Sequence, residues 1–176
     1  MSSERTEVQV RPGTEGDLGP LTDIYNHYVR ETPITFDTEV FTPEERRPWL
    51  LSHPEDGPHR LMVATSTDPT ANSQEILGYA TSSAFRPKRA YATTVEATVY
   101  LAPGAAGRGV GTLLYKALFE ALAEEDVHRV VAGVALPNEA SVRLHERFGF
   151  RHMGTYTEVG RKFGRYWDVA WFERGV

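Results

Sequence analysis

TVEATVYLAPGAAGRGVGTLLYKALFEAL, residues 94–122, is the stretch whose reading decides the fold. Thr94 to Leu101 is rich in β-branched and aromatic residues and reads as a strand. Pro103 and Gly104 end it. Gly107, Gly109 and Gly111 then leave the main chain bare, with no Cβ to hold a ligand away. Val110, Leu113, Leu114, Ala117, Leu118, Ala121 and Leu122 follow at i, i+3, i+4, i+7, i+8, i+11 and i+12, the apolar stripe of a helix. The helix therefore starts on free N–H groups and the positive end of its dipole, an anion site best suited to phosphate. A Walker P-loop is excluded, because Thr112 follows Gly111 with no Lys between them. A dinucleotide turn is excluded as well, because Leu114 stands where the third glycine belongs.

Outward from this unit the chain alternates helix and strand signals. Thr6 to Val10 alternates as a first strand, and Thr14 with Asp17 opens a helix whose stripe is Leu18, Leu21, Ile24, Tyr25 and Tyr28. Thr42-Pro43-Glu44-Glu45 starts a second helix, anchored by Trp49, Leu50 and Leu51. Arg60–Ser66 and Ile76–Phe85 read as strands joined by a hairpin connection over Asp68–Gln74, and Arg86 to Ala90 as a basic turn. Arg129–Leu136 is an apolar strand, buried and parallel. Pro137-Asn138 opens a short helix that Gly149 ends. Arg151–Glu158 and Tyr166–Phe172 are the last two strands. The order β-α-α-β-β-β-α-β-α-β-β predicts an α/β mixed sheet with helices on its faces, one domain over residues 6–174.

Composition narrows the function. The 176 residues are 40% hydrophobic and 24% charged, ordinary for a globular chain. A net charge of −5 argues against nucleic acid or an anionic membrane as partner. No apolar run is long enough to span a bilayer and no signal-peptide core is present, so a cytoplasmic location is expected. There is no cysteine, which removes disulfides, thiolate metal sites and a cysteine acyl-enzyme. His27, His53, His59, His128 and His152 show no ligand spacing, and no metal is expected.

The element order, the turn AAGRGVG and the segment Leu136-Pro137-Asn138-x-x-Ser141-x-x-Leu144-x-x-x-Phe148-Gly149-Phe150 resemble the GNAT superfamily of acetyl-CoA-dependent N-acetyltransferases. A narrower resemblance rests on Asn26-His27-Tyr28, Thr35-Phe36-x-Thr38-Glu39, Glu96-x-Thr98-Val99-Tyr100, Ser141-Val142-Arg143 and Trp167-Asp168-Val169. These look like phosphinothricin N-acetyltransferases and their methionine sulfoximine/sulfone-acetylating relatives. One position departs: three residues before the first glycine of the Gly109-x-Gly111 pair, where many such turns carry Arg or Gln, stands Ala106.

The resemblance implies the GNAT fold, acetyl-CoA as co-substrate, and a small amino-acid-like acceptor. Amine attack on a thioester needs a neutral amine, so a base helps. Glu96 shares a strand face with Thr98 and Tyr100; a carboxylate among Val, Ala and Thr loses solvation and gains basicity. The main chain of Val99, Tyr100 and Leu101 is expected to bond the pantetheine arm by strand addition. The amides of Gly107, Arg108, Gly109, Val110, Gly111 and Thr112 are expected to hold the pyrophosphate, with Arg108 adding charge. Asn138 serves as a helix cap, as a pantetheine contact, or as both, with Ser141 beside it. His145, seven residues beyond Asn138, stands where many GNAT enzymes carry a Tyr that protonates the leaving thiolate; it reads as that acid or as a satisfied helix residue. For the acceptor, Phe85-Arg86-Pro87 offers a fork for a carboxylate or phosphinate, Phe36 a pocket wall, and Thr94 a further polar group. Lys162 to Trp167, basic and aromatic, fits either a homodimer contact or a last hairpin. Two other readings stand beside this one: a GNAT enzyme acting on a polyamine, aminoglycoside or protein N-terminus, and a non-catalytic acyl-CoA-binding module.

Overall fold

The computed structural model describes residues 7–67 and 74–176. The predicted hairpin connection at 68–74 and the start of the first strand at Thr6 lie, but for Gln74, outside them. The element order is β1 (Val8–Pro12), α1 (Leu18–Glu31), α2 (Pro43–Leu51), β2 (Leu61–Ser66), β3 (Ile76–Ala84), β4 (Thr94–Leu101), α3 (Val110–Leu122), β5 (Arg129–Ala135), α4 (Glu139–Arg147), β6 (Arg151–Lys162) and β7 (Arg165–Gly175). This is the expected order. The strands form one mixed sheet in the order β1-β2-β3-β4-β5-β7-β6.

Local chemistry sets the helix starts. Thr42 Oγ1 accepts from the Glu45 amide at 3.3 Å, while the Glu45 carboxylate accepts from the Thr42 amide at 2.8 Å, a reciprocal cap that fixes α2. Thr14 and Asp17 cap a single 3₁₀ turn over Glu15–Asp17 that leads into α1. The Asn138 side chain caps α4 by accepting from the Ser141 amide at 3.2 Å. Gly109 caps α3 with φ +77°, a left-handed conformation in which a side chain would be strained.

Two apolar layers enclose the sheet. On one face α3 packs Val110, Leu114, Tyr115, Leu118 and Leu122 against Val95, Ala97, Val130 and Ala132. On the other, α1 and α2 pack Leu18, Leu21, Ile24 and Leu50 against Leu61, Val63 and Tyr79. Each fully buried Leu or Val contributes about 1.5–3 kcal/mol, so these layers hold the sheet against chain entropy. Two expectations about packing are corrected here. Leu113, placed on the α3 stripe, is 40% exposed, and Leu51, named as an anchor of α2, is 57% exposed. At 100° per residue the α3 stripe is centred closer to Tyr115 and Phe119, which are buried in place of Leu113, while Leu51 ends α2 on its outer side. The last hairpin is also longer than expected, because β6 and β7 continue to a turn with Phe163 at φ +55° and Gly164 at φ +70°.

The feature that positions chemistry is a split in the sheet. β3 and β4 pair along seven residues, Gly78–Ala84 against Val95–Leu101. β5 and β7 likewise pair along seven. Between them β4 and β5 run parallel for three pairs only, Thr94, Val95 and Glu96 against Arg129, Val130 and Val131. Beyond Glu96 the strands diverge, so the β5-facing edge of Ala97–Leu101 has no strand on it. Among the described residues no helix is long and apolar enough to cross a membrane.

Candidate active site

Strand alternation assigns the side chains around the split. Val95 and Ala97 face α3 and are buried; Glu96, Thr98 and Tyr100 face α1 and α2. Their cross-strand partners on β3 are Ser83, Thr81 and Tyr79, and these project to the same side. Thr81 and Thr98 hydrogen-bond through their hydroxyls at 2.7 Å. Glu96 stands at the last β4–β5 pair, where the opening begins. It is half-buried with no ion pair among the described residues, and burial raises its carboxyl pKa above the ordinary range.

Two cavities meet at this strand. One, of about 320 Å³, runs along the opening; Ala97 to Leu101 border one side and Gly133 to Ala135 the other. Gly111, Asn138, Ser141 and His145 complete it. The other, of about 360 Å³, lies under α2 and takes Glu96, Thr98, Thr81, Ser83, Tyr79 and Arg46 among its walls. It is at the small end of the range for ligand pockets, which suits a small acceptor better than a polymer. A third cavity continues past Glu96 to Phe36, Tyr156 and Trp171.

The expected cofactor residues fall into two groups. Val99, Tyr100, Leu101, Gly111, Asn138 and Ser141 border the opening. Gly107, Arg108, Gly109 and Thr112 lie at the start of α3, and Val110, 1% exposed, can contribute only its main chain. Thr112 Oγ1 accepts from Arg147 at 3.1 Å. The first amides of α3 have no acceptor within the helix. A Cβ on Gly107 or Gly109 would meet nothing within 4 Å, so positive φ and outward access, not packing, explain those two glycines. Gly111 does pack: its Cβ would stand 3.3 Å from Leu144 of α4.

His145 is 3% exposed and both its ring nitrogens are engaged. The Ser141 carbonyl can only accept, so Nδ1 donates to it at 2.7 Å. That leaves Nε2, in the neutral ring, accepting from the Tyr115 hydroxyl at 2.8 Å. Burial lowers the ring's pKa, which favours this neutral form. His53, which no sequence argument singled out, is arranged the same way: Nδ1 donates to the Trp49 carbonyl and Nε2 accepts from Ser83 Oγ, both at 2.8 Å.

The acceptor candidates separate. Phe36 borders the cavity past Glu96 and packs on Gly160 of β6, where an added Cβ would stand 2.2 Å from the ring. Phe85 and the exposed Arg86 border another cavity with Met153, Tyr156 and Trp171, and Arg86 stacks over Phe85 at 4.9 Å. Thr94 and Pro87 border none of these cavities. Sequence reasoning assigned no site role to the α2 residues that line the cavity under that helix, chiefly Arg46 and Trp49, the latter expected only as a helix anchor. Arg46 belongs to a Glu-Glu-Arg-Arg run that reads as solvated charge. Only its placement three residues before Trp49, on the inward helical face, hints otherwise.

A sheet that opens beside a basic carboxylate, with a phosphate-ready helix start above and a small pocket behind, suits transfer from a long thioester to a nucleophile. It is the architecture of an acyltransferase. The match to the Acetyltransferase (GNAT) family covers residues 21–150, and the chain belongs to that family. It is an acetyltransferase that uses acetyl-CoA. It is 78% identical over 168 residues to a phosphinothricin N-acetyltransferase of Streptomyces coelicolor, covering 96% of each chain. It is 31% identical to an L-methionine sulfoximine/L-methionine sulfone acetyltransferase of Pseudomonas aeruginosa, covering 94% of this chain and 93% of that one. Among solved structures it resembles a GNAT superfamily phosphinothricin acetyltransferase of Sinorhizobium meliloti in complex with acetyl-CoA. The TM-score is 0.88 at 27% identity, over 96% of this chain and 88% of the other.

Proposed function

We propose that the chain transfers the acetyl group of acetyl-CoA to the α-amino group of a small amino acid with an oxygen-bearing tetrahedral side-chain end. Phosphinothricin and methionine sulfoximine or sulfone are such compounds. The observation that carries the reading is the placement of Glu96: its main chain closes the opening while its carboxyl faces the small cavity under α2. The names of the relatives support the choice of acceptor.

In this reading pantetheine lies as an added strand along Ala97–Leu101, and the α3 amides take the pyrophosphate. The Asn138 oxygen is occupied as a cap, so its amide nitrogen is the group left for pantetheine. Glu96 takes a proton from the acceptor's ammonium, directly or through one water. The amine lone pair attacks the thioester carbonyl, and the C–S bond breaks as the carbonyl re-forms. The nitrogen passes its remaining extra proton to solvent water, leaving an amide and the CoA thiolate. A thiol with a pKa of about 8.5 leaves readily as thiolate. His145 then acts through Tyr115, holding the wall of the opening, because its neutral ring has no proton on Nε2 to give. Phe36 walls the acceptor side. Arg86 offers its fork to the carboxylate from the end of β3.

We also assign a homodimer. Met153, Tyr156, Val159, Phe163 and Tyr166 on the last hairpin are all more than half exposed. A second copy would cover this apolar row beside the acceptor side. A panel of amines with acetyl-CoA and thiol detection tests the assignment. Phosphinothricin or methionine sulfoximine should be turned over in preference to polyamines, aminoglycosides and peptide N-termini. Turnover confined to the latter group overturns the reading.

A further inference from the structure

Arg46 is 6% exposed, although it stands in the first turns of a short helix among charged neighbours. Its guanidinium carbon lies 4.0 Å from the centre of the Tyr25 ring and 4.0 Å from that of Trp49. Rings on a planar cation leave it free only along its N–H bonds. Nη1 is buried without a hydrogen-bond partner, and Arg46 forms no ion pair among the described residues. The Tyr79 hydroxyl is likewise buried and unpartnered. Burial pushes that hydroxyl's pKa up and the nearby Arg46 opposes it, yet no bond of good geometry joins them. Both groups border the cavity that Glu96 borders. A buried guanidinium without a counter-ion is costly, and the fold keeps one here beside a second unused donor.

The position along the cavity is fixed by α2. Trp49 packs on Tyr79 with ring centres 5.5 Å apart, and His53 bonds Ser83. Arg46, one helical turn before Trp49, is thus at the Tyr79–Tyr100 end, while Ser83 is paired with Glu96. Four strand residues, about 13 Å of backbone, separate those two ends. An α-carboxylate lies one bond from the carbon that bears the amine and does not reach that far. The side-chain terminus extends furthest from the amine and so comes closest to Arg46.

We propose that Arg46, with the Tyr79 hydroxyl, receives the oxygen-bearing end of the acceptor remote from its amine, and so selects amino acids that carry an anionic or strongly accepting tetrahedral group there. The inference rests on the acceptor reading above and deepens it. It leaves Arg86, exposed and in another cavity, to the carboxylate.

The test compares phosphinothricin with norleucine, which lacks terminal oxygens, using the parent, Arg46→Met, Arg46→Lys and Tyr79→Phe. Met keeps an unbranched chain between the two rings. For Arg46→Met, kcat/KM for phosphinothricin should fall roughly 10- to 150-fold, the range of a charge-assisted hydrogen bond. Activity on norleucine and the KM for acetyl-CoA should change by no more than about threefold, a difference under 1 kcal/mol by the rate scale. Tyr79→Phe should lose about tenfold, again on phosphinothricin alone. Equal losses on both amino acids, or none, would overturn the inference and leave the acetyltransferase reading standing. If Arg46→Met does not fold, the same comparison is made with Arg46→Lys and Tyr79→Phe. If the parent turns over no phosphinothricin, the acceptor reading falls, and thermal shift with dimethylphosphinate decides the anion site. Stabilisation of the parent but not of an Arg46 variant supports the site; no stabilisation of the parent overturns it.

Discussion

At the residue scale Glu96 and Arg46 mark two kinds of legibility. The half-buried setting of Glu96 could be read because its neighbours and its distance from the glycine turn lie in one stretch of chain; its part as base is the proposal. Its raised pKa has a consequence for pH. Burial favours the protonated form, so this group supports the folded state at low pH and that support is lost as pH rises through the folded value. Glu96→Gln should therefore lower kcat/KM by roughly 10²–10⁴-fold at neutral pH, with partial recovery at high pH where the amine loses its own proton. Thermal melting of the variant at pH 7 should show no loss of stability, because no buried carboxylate must ionise. A variant active at neutral pH contradicts the base assignment, and one that has unfolded contradicts the stability expectation. The parent's acid limb of kcat/KM should lie above the usual carboxylate range. The burial of Arg46 was not readable, since it comes from Tyr25, Trp49 and Tyr79, which three different elements bring together. His145 was readable in position but not in state: its two bonds need the carbonyl one turn back and a tyrosine from α3.

At the element scale, capping chemistry and periodicity placed every helix, because both act within a few residues. The phase of α3 was misread, since its sequence stripe could be drawn through Leu113 or through Tyr115 and only the sheet decides between them. The divergence of β4 and β5 was not readable at all: nothing in either strand says where parallel pairing stops. Two variants test what these elements do. Gly109→Ala places a Cβ at φ +77° with no steric neighbour, so its cost is the left-handed penalty of roughly 1–2 kcal/mol. The strain should distort the start of α3 and raise the KM for acetyl-CoA while the KM for the acceptor holds. Calorimetry with an unchanged cofactor affinity would move the phosphate site elsewhere. Gly160→Ala drives a methyl into Phe36. The loop carrying Phe36 must move, and acceptor KM should rise several-fold with little effect on acetyl-CoA, as initial-rate kinetics can show.

At the scale of the whole molecule, the exposed apolar row on the last hairpin predicts association. Sedimentation should give a dimer for the parent, and Val159→Glu, which sets a charge on the exposed hairpin, should shift it to monomer. A parent that stays monomeric at high concentration contradicts this. The order of strands and helices could be read from the sequence, but the exposure of this row could not, because β6 has a sheet neighbour on one edge only.

In the proposed binding mode the three-pair seam between β4 and β5 would also make acetyl-CoA a strut. Empty, the molecule is two half-sheets hinged below the opening and held by their helices. Filled in that mode, the halves would border one ligand, and the folded state would gain RT ln(1 + [L]/Kd). Main-chain amides on the open edge of Ala97–Leu101 should exchange with deuterated water at least tenfold faster in the empty protein than in the filled one. Those that β4 donates to β3 should hardly differ. Limited proteolysis should follow the same course, so the lifetime of this enzyme becomes a gauge of the acetyl-CoA around it.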